Sequence, residues 1–337
     1  MNPRYLQLSS AELNRRADQA YEIYRSCEVC PRACAVDRTA GEMGFCGQSD
    51  QLSVSAAVKH FGEEPPFTGT CGVGNIFVSS CNLACSYCQN FQISQKKIGR
   101  EVSYQETASQ MLDLQRQGGH FIGWVSPSHV VPGLLKSLAL ARDQGLRLPI
   151  IYNTNAYDAL PTLKLLDGVI DIYLPDMKYS SDEMGWEHSR GKGYKTHSQE
   201  AVLEMYRQAG PLTIGEDGLA QGGVLIRHLV LPNGLAGSWE TLCFIAFEMS
   251  TRIPLSLMSQ YQPVNKAMES PELARRPSPE EYQAVVKMAE ELGFEHLFIQ
   301  DPECKEHNLP DFTRAEDPFP LKQSPYRDSF VNGPQFC

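Results

Sequence analysis

Residues 75–88, NIFVSSCNLACSYC, join a short apolar run to three cysteines. The run, residues 75–79, is typical of a buried strand in a parallel sheet. Cys81, Cys85 and Cys88 follow it with the spacing C-x3-C-x2-C. Three thiolates on one short loop can hold three irons of a cubane cluster, whereas most iron–sulfur clusters have four cysteine ligands. Because an open coordination position is typical of a catalytic metal site, this stretch predicts a catalytic cluster at the end of a strand.

Outward from this stretch, apolar runs alternate with helical segments along the chain. The further runs are residues 120–125, 148–153, 168–174, 223–231, 253–260 and 295–300. Ser103, Ser198 and Ser278 each precede a helical pattern and are predicted as helix N-caps. This alternation predicts an α/β fold with a parallel sheet. Seven runs favour a partial parallel (β/α) barrel of about six units, and the pattern alone leaves a doubly wound sheet open.

We expect three regions along the chain. Residues 1–70 contain a helix that begins at a capping box of Ser9 and Glu12, followed by a cysteine-rich, metal-binding extension. Residues 71–301 form the barrel core. Residues 302–337 are irregular and rich in proline, and we expect them to form an extended tail over the barrel.

Composition and charge restrict the class of protein. The 337 residues include 30 Lys or Arg and 40 Asp or Glu, which gives a formal net charge of −10. An acidic chain without a block of like charge argues against a nucleic-acid partner. Hydrophobic content of 42% and charged content of 21% are typical of a soluble globular protein. No apolar run reaches the roughly 18 residues of a membrane span, and the first residues lack a signal-peptide core, so we expect a cytoplasmic protein.

Eight of the 11 cysteines lie within residues 27–88. In a reducing compartment such clustering favours metal ligation over disulfides. A second group, Cys27, Cys30, Cys34 and Cys46, has the spacing C-x2-C-x3-C-x11-C. Four thiolates fit either a tetrahedral zinc site or a second iron–sulfur cluster, and both interpretations stay open. An iron–sulfur cluster there would pass electrons to the catalytic centre, whereas zinc would only brace the fold.

The loop at residues 81–88 resembles the signature of radical S-adenosylmethionine (SAM) enzymes. Further segments resemble one branch of that superfamily, whose members are labelled homologues of pyruvate formate-lyase activating enzyme. These segments are HFGEEPPFTG (60–69), VSPSH (125–129), YNTNAYD (152–158), IYLPDMKY (172–179), IRHLVLP (226–232) and LMSQYQP (257–263). One motif departs from that branch: Ser126-Pro127-Ser128-His129 stands where glycyl-radical activases usually carry Gly-Gly-Glu.

The resemblance implies a reaction and its cofactors. It implies that Cys81, Cys85 and Cys88 hold a 4Fe–4S cluster whose open iron chelates SAM, with Tyr87 beside the adenine. The reduced cluster then cleaves SAM to methionine and a 5′-deoxyadenosyl radical, which abstracts hydrogen from a substrate. The electron donor would be a flavodoxin or ferredoxin. The substrate would be a glycyl-radical enzyme or, alternatively, another protein, a peptide or a small molecule.

Polar residues near the ends of the predicted strands are candidates for contacts with SAM or substrate, because the carboxyl ends of parallel strands line the mouth of a barrel. They are Ser126, Ser128, His129, Asn153, Asn155, Asp176, Lys178, Arg227 and Gln260. Glu63 and Glu64 are adjacent in a proline-rich turn, which favours a contact between this turn and the barrel over a catalytic carboxylate pair.

One interpretation from a different class of function stays open. If zinc occupied both cysteine groups, the chain would be a non-catalytic, zinc-binding interaction module. Anaerobic reconstitution with iron and sulfide distinguishes the two interpretations, because only the enzyme would release 5′-deoxyadenosine from SAM under dithionite.

Overall fold

The computed structural model describes residues 2–300, 309–314 and 317–319. The predicted tail, residues 302–337, therefore lies largely outside the described residues. The strands are β1 Leu52–His60, β2 Val73–Val78, β3 Arg100–Val102, β4 Phe121–Val125, β5 Ile150–Thr154, β6 Ile172–Pro175, β7 Thr213–Ile214, β8 Ala220–Val224, β9 Ile226–Leu229, β10 Leu255–Met258 and β11 Leu297–Ile299. The α-helices are α1 Ser10–Glu22, α2 Pro65–Thr68, α3 Phe91–Ser94, α4 Tyr104–Arg116, α5 Val131–Asp143, α6 Leu160–Leu165, α7 Asp182–Ser189, α8 Tyr194–Ala209, α9 Ser238–Phe244 and α10 Pro279–Glu291.

The central strands run parallel. β2, β4, β5, β6 and β8 are neighbours in that order, and β9, β10 and β11 continue in parallel. A single residue separates β8 from β9, and a parallel bridge between Asp176 and Arg227 places β9 beside the end of β6. β1 extends the sheet antiparallel to β2, and β3 in turn pairs with β1.

The sheet curves into a partial barrel. Val73 of β2 and Phe298 of β11, which lie at opposite ends of the parallel strand order, belong to one buried cluster. Its other fully buried members are Phe67, Phe121, Ile151, Ile172, Leu174, Ala220 and Leu225. Since alternate residues of a strand face the same side, this cluster is the barrel interior, while Tyr152 and Tyr173 pack outward among the helices. The predicted partial parallel (β/α) barrel is confirmed.

Helix starts follow local capping chemistry in three of the four predicted cases. The side chains of Ser9, Ser103 and Ser278 each accept a hydrogen bond from the backbone N–H three residues later. The predicted start at Ser198 is wrong, because α8 begins one turn earlier, after Gly193 with a φ of 64°. Ser198 lies inside that helix, where its hydroxyl donates to the carbonyl of Lys195.

A buried arginine is one of the contacts by which the cysteine-rich segment after α1 docks on the barrel. The Arg38 guanidinium is 1% exposed and donates to the carbonyls of Ser49 and His129. It also lies 4.0 Å above the ring of Tyr24. A buried arginine that is paired in this way fixes the extension against the end of β4. Within the described part of the chain, no helix is long and apolar enough to cross a membrane.

Candidate functional site

The loop that carries Cys81, Cys85 and Cys88 follows β2 directly, at the carboxyl end of the barrel. Two backbone hydrogen bonds attach it to the end of α7: Ala84 N donates to the carbonyl of Ser189 at 2.9 Å, and Ser86 N donates to that of His188 at 2.8 Å. The opposite side of the loop is held by Ala267, whose N–H donates to the carbonyl of Ser86 at 3.0 Å. The cysteine loop is therefore held from two directions.

Each of the three sulfurs has a polar partner. Ser189 Oγ donates to Cys85 Sγ at 3.0 Å, and Asn155 Nδ2 donates to Cys81 Sγ at 3.4 Å. Ser94 Oγ lies 3.2 Å from Cys88 Sγ. Hydrogen bonds to ligand sulfurs are a means by which proteins stabilise iron–sulfur clusters and set their potentials.

The electrostatics of the loop favour bound metal over free thiolates. Burial, followed by the neighbouring Cys85, raises the pKa of Cys81 to about 12 and that of Cys88 to about 11. A cation lies nearby: Lys178 Nζ is 2.8 Å from Asp176 Oδ2. Burial alone would lower the pKa of Lys178, but Asp176 and Cys85 outweigh it and raise that pKa. Metal ions hold cysteines as thiolates at neutral pH, so the thiols here need a metal to ionise.

Aromatic side chains surround the cysteine loop. Tyr87 is 4% exposed, and its ring centroid lies 5.5 Å from that of Tyr261 and 6.4 Å from that of Tyr179. Tyr194 packs on Tyr179 at 5.4 Å and donates to the carbonyl of Asn155. These rings exclude water from the region around Cys85.

The second cysteine group lines a small cavity of its own. Cys27, Cys30, Cys34 and Cys46 line a cavity of about 10 Å³ between the extension and the barrel. Arg38 Nη1 lies 3.9 Å from Cys27 Sγ. Burial raises the pKa of Cys30 to about 12 and also raises the pKa of Cys46, so these two cysteines, too, need a metal to ionise at neutral pH.

The two cysteine groups are neighbours in space. Asn82 lines the second cavity and also accepts a hydrogen bond from Asn155, which contacts Cys81. Arg32 donates to the carbonyl of Asn82 at 2.8 Å. It also interacts electrostatically with cysteines of both groups, Cys30, Cys34 and Cys81. Arg32 Nη2 is buried and has no hydrogen-bond partner among the described residues. A buried donor of this kind suits an acceptor such as a cluster sulfide.

The spacing of possible ligand atoms bears on which metal the cysteine groups could hold. Two thiolates on one tetrahedral zinc lie about 3.8 Å apart, given a Zn–S bond of about 2.3 Å. Among the described residues, the one set of three or more His, Cys, Asp or Glu whose ligand atoms lie within 4.8 Å of one another is Glu187, His188 and Glu272. Neither cysteine group therefore brings three sulfurs within the spacing of a single zinc. A cubane binds each thiolate to a different iron and spaces the sulfurs more widely than a single zinc does.

The structure brings some of the predicted contact residues to the cysteine loop. Tyr87 is part of the loop, and Asn155 and Lys178 lie against it, with Asp176 paired to Lys178. Ser126 and Asn153 lie at the ends of β4 and β5, where Ser126 N donates to the carbonyl of Asn153 at 2.8 Å.

Other predicted contact residues have partners elsewhere. Ser128 pairs with Thr154 in a buried network that includes Asp158, on the outer face of the sheet. His129 Nε2 lies 3.0 Å from the carbonyl of Ser79, and His129 is among the residues that line the cavity of the second cysteine group. The Gln260 side chain accepts from Gln300 at 3.4 Å.

Arg227 lies inside the barrel, bound to the turn before β2. Its guanidinium donates to the carboxylates of both Glu63 and Glu64, and Glu63 also accepts from Asn75 at 2.8 Å. Glu63, Glu64 and Arg227 are 7%, 0% and 7% exposed. Burial alone would raise the pKa of Glu63, but Arg227 and then His60 lower it to about 2. The expected contact between this turn and the barrel is thus a buried ion cluster.

Sequence reasoning missed residues that contact the cysteines from distant elements. Ser189 lies 104 residues after Cys85, and nothing around it in the sequence points to sulfur. Ser94 is only six residues after Cys88, so its closeness in sequence is a weak signal that its hydroxyl could reach the cysteine sulfur. Asn82 and Arg32 were inside the quoted motifs, but only the fold shows that they connect the two cysteine groups.

Comparison with known proteins finds two relatives in sequence and several solved structures that are similar in part. No family model matches the chain. Two uncharacterised proteins of Methanocaldococcus jannaschii are similar in sequence. One is 27% identical over 293 residues, and the match covers 85% of this chain and 80% of the relative. The other is 25% identical over 294 residues, and the match covers 81% of this chain and 80% of the relative. Among solved structures, a radical SAM methyltransferase from Sphaerobacter thermophilus covers 67% of this chain and 66% of its own, at a TM-score of 0.44 and 13% identity. HydG, a maturase of the FeFe hydrogenase, covers 88% of this chain and 65% of its own, at a TM-score of 0.47 and 12% identity.

Proposed function

We propose that this chain is a radical SAM enzyme. In this proposal Cys81, Cys85 and Cys88 hold a 4Fe–4S cluster that, when reduced, supplies the electron for cleavage of SAM to methionine and a 5′-deoxyadenosyl radical. The radical takes a hydrogen atom from a substrate. The observation that carries the proposal is a loop of three cysteines at the carboxyl end of the first parallel strand of a partial barrel, with a polar partner at each sulfur.

The protein's own residues position the reactants and exclude water. Ser189, Asn155 and Ser94 orient the sulfurs of the cysteine loop. The Tyr87 ring, buried against Tyr179 and Tyr261, is the surface against which we place the adenosyl group. Ser128 and His129 have other partners. We therefore expect the amino group of SAM to donate hydrogen bonds to the Ser126 hydroxyl and to backbone carbonyls at the end of β4.

Anaerobic reconstitution with iron and sulfide tests the proposal. The expected result is a visible charge-transfer absorbance and the release of 5′-deoxyadenosine from SAM in the presence of dithionite. Stoichiometric zinc with no adenosyl product would instead support the zinc-binding interaction module.

The substrate proposal is narrower and has its own test. Resemblance to activating-enzyme homologues supports a glycyl-radical enzyme as substrate, and the absence of Gly-Gly-Glu at residues 126–129 favours another protein, a peptide or a small molecule. Incubation of the reconstituted enzyme and SAM with a glycyl-radical enzyme distinguishes these alternatives. A stable glycyl radical detected by electron paramagnetic resonance (EPR) is expected only if the chain is an activase.

Replacing Ser189 by alanine is expected to make the cluster harder to reduce. The variant loses the hydrogen bond to Cys85 Sγ, which stabilises the more negative, reduced cluster. We expect a more negative midpoint potential and roughly a tenfold slower formation of 5′-deoxyadenosine, in line with losses from outer ligand contacts. A redox titration followed by EPR measures the potential. Ser109→Ala, on the exposed side of α4, is the matched control, and an unchanged potential in Ser189→Ala would contradict the assigned role.

We further propose that the second cysteine group holds a four-cysteine iron–sulfur cluster. Replacing Cys46 by alanine is then expected to lower the iron content from about eight to about four atoms per chain, since each cubane has four irons. The EPR signal of the cluster at the cysteine loop should remain. Iron and zinc analysis checks both outcomes, and a loss of one zinc with unchanged iron would assign zinc to this group.

A further inference from the structure

A third set of metal-binding side chains lies outside both cysteine groups. Glu187 and His188 lie in the last turn of α7, directly before its final residue Ser189, and Glu272 lies in the segment between β10 and α10. One ring nitrogen of His188 and one carboxylate oxygen from each glutamate lie within 4.8 Å of one another. Both glutamates are exposed at the surface, whereas His188 is 4% exposed.

His188 supplies a second and independent indication of a ligand. Its Nε2 is buried and has no hydrogen-bond partner among the described residues. Buried imidazole nitrogens in folded proteins are almost always paired with protein, water or metal. In contrast, His228 has both ring nitrogens occupied, by the carbonyl of Met177 and by Ser238 Oγ. A buried histidine that has an unpaired ring nitrogen and lies beside two carboxylates is the arrangement that a cation would complete.

We propose that Glu187, His188 and Glu272 bind a divalent transition-metal cation. One imidazole and two carboxylates are ligands that suit Zn²⁺, Mn²⁺ or Fe²⁺, and the exposed side leaves positions for water. The two negative carboxylates balance the charge of the ion. The site contains no cysteine, so it is separate from both proposed clusters and does not depend on the proposed SAM chemistry.

A cation at this position would link two elements that support the cysteine loop. It joins the end of α7 to the segment around Glu272. The carbonyls of His188 and Ser189 in α7 accept from the cysteine loop, and Ala267, in the segment before Glu272, donates to Ser86 on its other side. Binding therefore ties together the two supports of the cysteine loop and should slow the loss of a cluster held there.

Titration of the reconstituted full-length protein with Mn²⁺ tests the proposal, because thiolates bind Mn²⁺ poorly and EPR reports the free ion directly. We expect one Mn²⁺ bound per chain, with nitrogen modulation from His188 in pulsed EPR. Glu187→Gln combined with Glu272→Gln should weaken binding at least tenfold. Glu183→Gln, on the same exposed side of α7, should leave it unchanged.

Two results would overturn the inference. The first is a free Mn²⁺ signal that persists undiminished with wild-type protein, and the second is bound Mn²⁺ that the double variant retains with unchanged affinity. The structural consequence is measured separately, as the rate at which cluster absorbance is lost. Mn²⁺ should slow this loss in wild type and in Glu183→Gln, and an equal slowing in the double variant would contradict the link between the cation and the cysteine loop.

Discussion

Cys85→Ala is expected to carry no cluster at the cysteine loop and to release no detectable 5′-deoxyadenosine from SAM. Cys85 is buried, and its sulfur is the one held by Ser189 from α7. Loss of an outer contact typically costs 10- to 100-fold in metal affinity or activity, so loss of one of three ligands should cost more than about 100-fold. Product analysis by chromatography and iron analysis after anaerobic reconstitution measure the effect.

Cys71→Ala is the matched control for this experiment. Cys71 lies ten residues before Cys81 and is partly exposed, with its backbone N–H bonded to His120 rather than to the loop. The control should keep wild-type iron content and product formation. Product formation by Cys85→Ala at a wild-type rate would refute the assignment of the cysteine loop as the catalytic centre.

Arg227→Met is expected to destabilise the folded protein by about 3–5 kcal/mol at pH 7, because breaking a buried ion cluster leaves uncompensated charge. Arg227 is the cation between Glu63 and Glu64, and all three side chains are buried. Methionine has a similar length and cannot form the ion pairs. Urea unfolding followed by circular dichroism measures the change in the free energy of unfolding.

The deficit should depend on pH in a defined direction. In the wild type the pKa of Glu63 is lowered to about 2, so its contribution to stability is complete above its unfolded pKa of about 4.3 and is lost as pH falls toward 2. In the variant, burial acts without Arg227 and raises the pKa of Glu63 above its ordinary value. The variant therefore gains stability by protonation as pH falls from 7.5 to 5, and its deficit relative to wild type shrinks.

Two further variants keep this prediction falsifiable. Adding Glu63→Gln and Glu64→Gln to Arg227→Met should recover part of the lost stability, because the uncompensated charges are removed. Arg207→Met removes an exposed arginine that pairs with Glu204 and Asp167, and should leave the unfolding midpoint unchanged. A deficit of Arg227→Met that is constant across this pH range would show that the charges are not its cause.

The fold class was predictable because its signals are local. Apolar runs of strand length alternate with capped helices, and the sheet forms where these runs were expected. The error at Ser198 has a local cause too: Gly193 adopts the left-handed conformation and takes the N-cap position, which capping statistics for serine do not anticipate. β1 is not among the predicted strands, because a strand that pairs antiparallel with both of its neighbours, β2 and β3, does not belong to the repeating pattern of parallel strands and helices.

The sequence by itself determined the three-cysteine loop, the four-cysteine group and the barrel, since these depend on spacing and periodicity within a few residues of each other. Only the tertiary structure decided which side chains face each sulfur, that Arg227 joins Glu63 and Glu64 inside the barrel, and that His129 lies at the second cysteine group. Ser189 meets Cys85 across 104 residues, and Arg227 meets Glu64 across 163. Such contacts follow from the curvature of the sheet and the path of the connecting loops, for which no local pattern of residues exists.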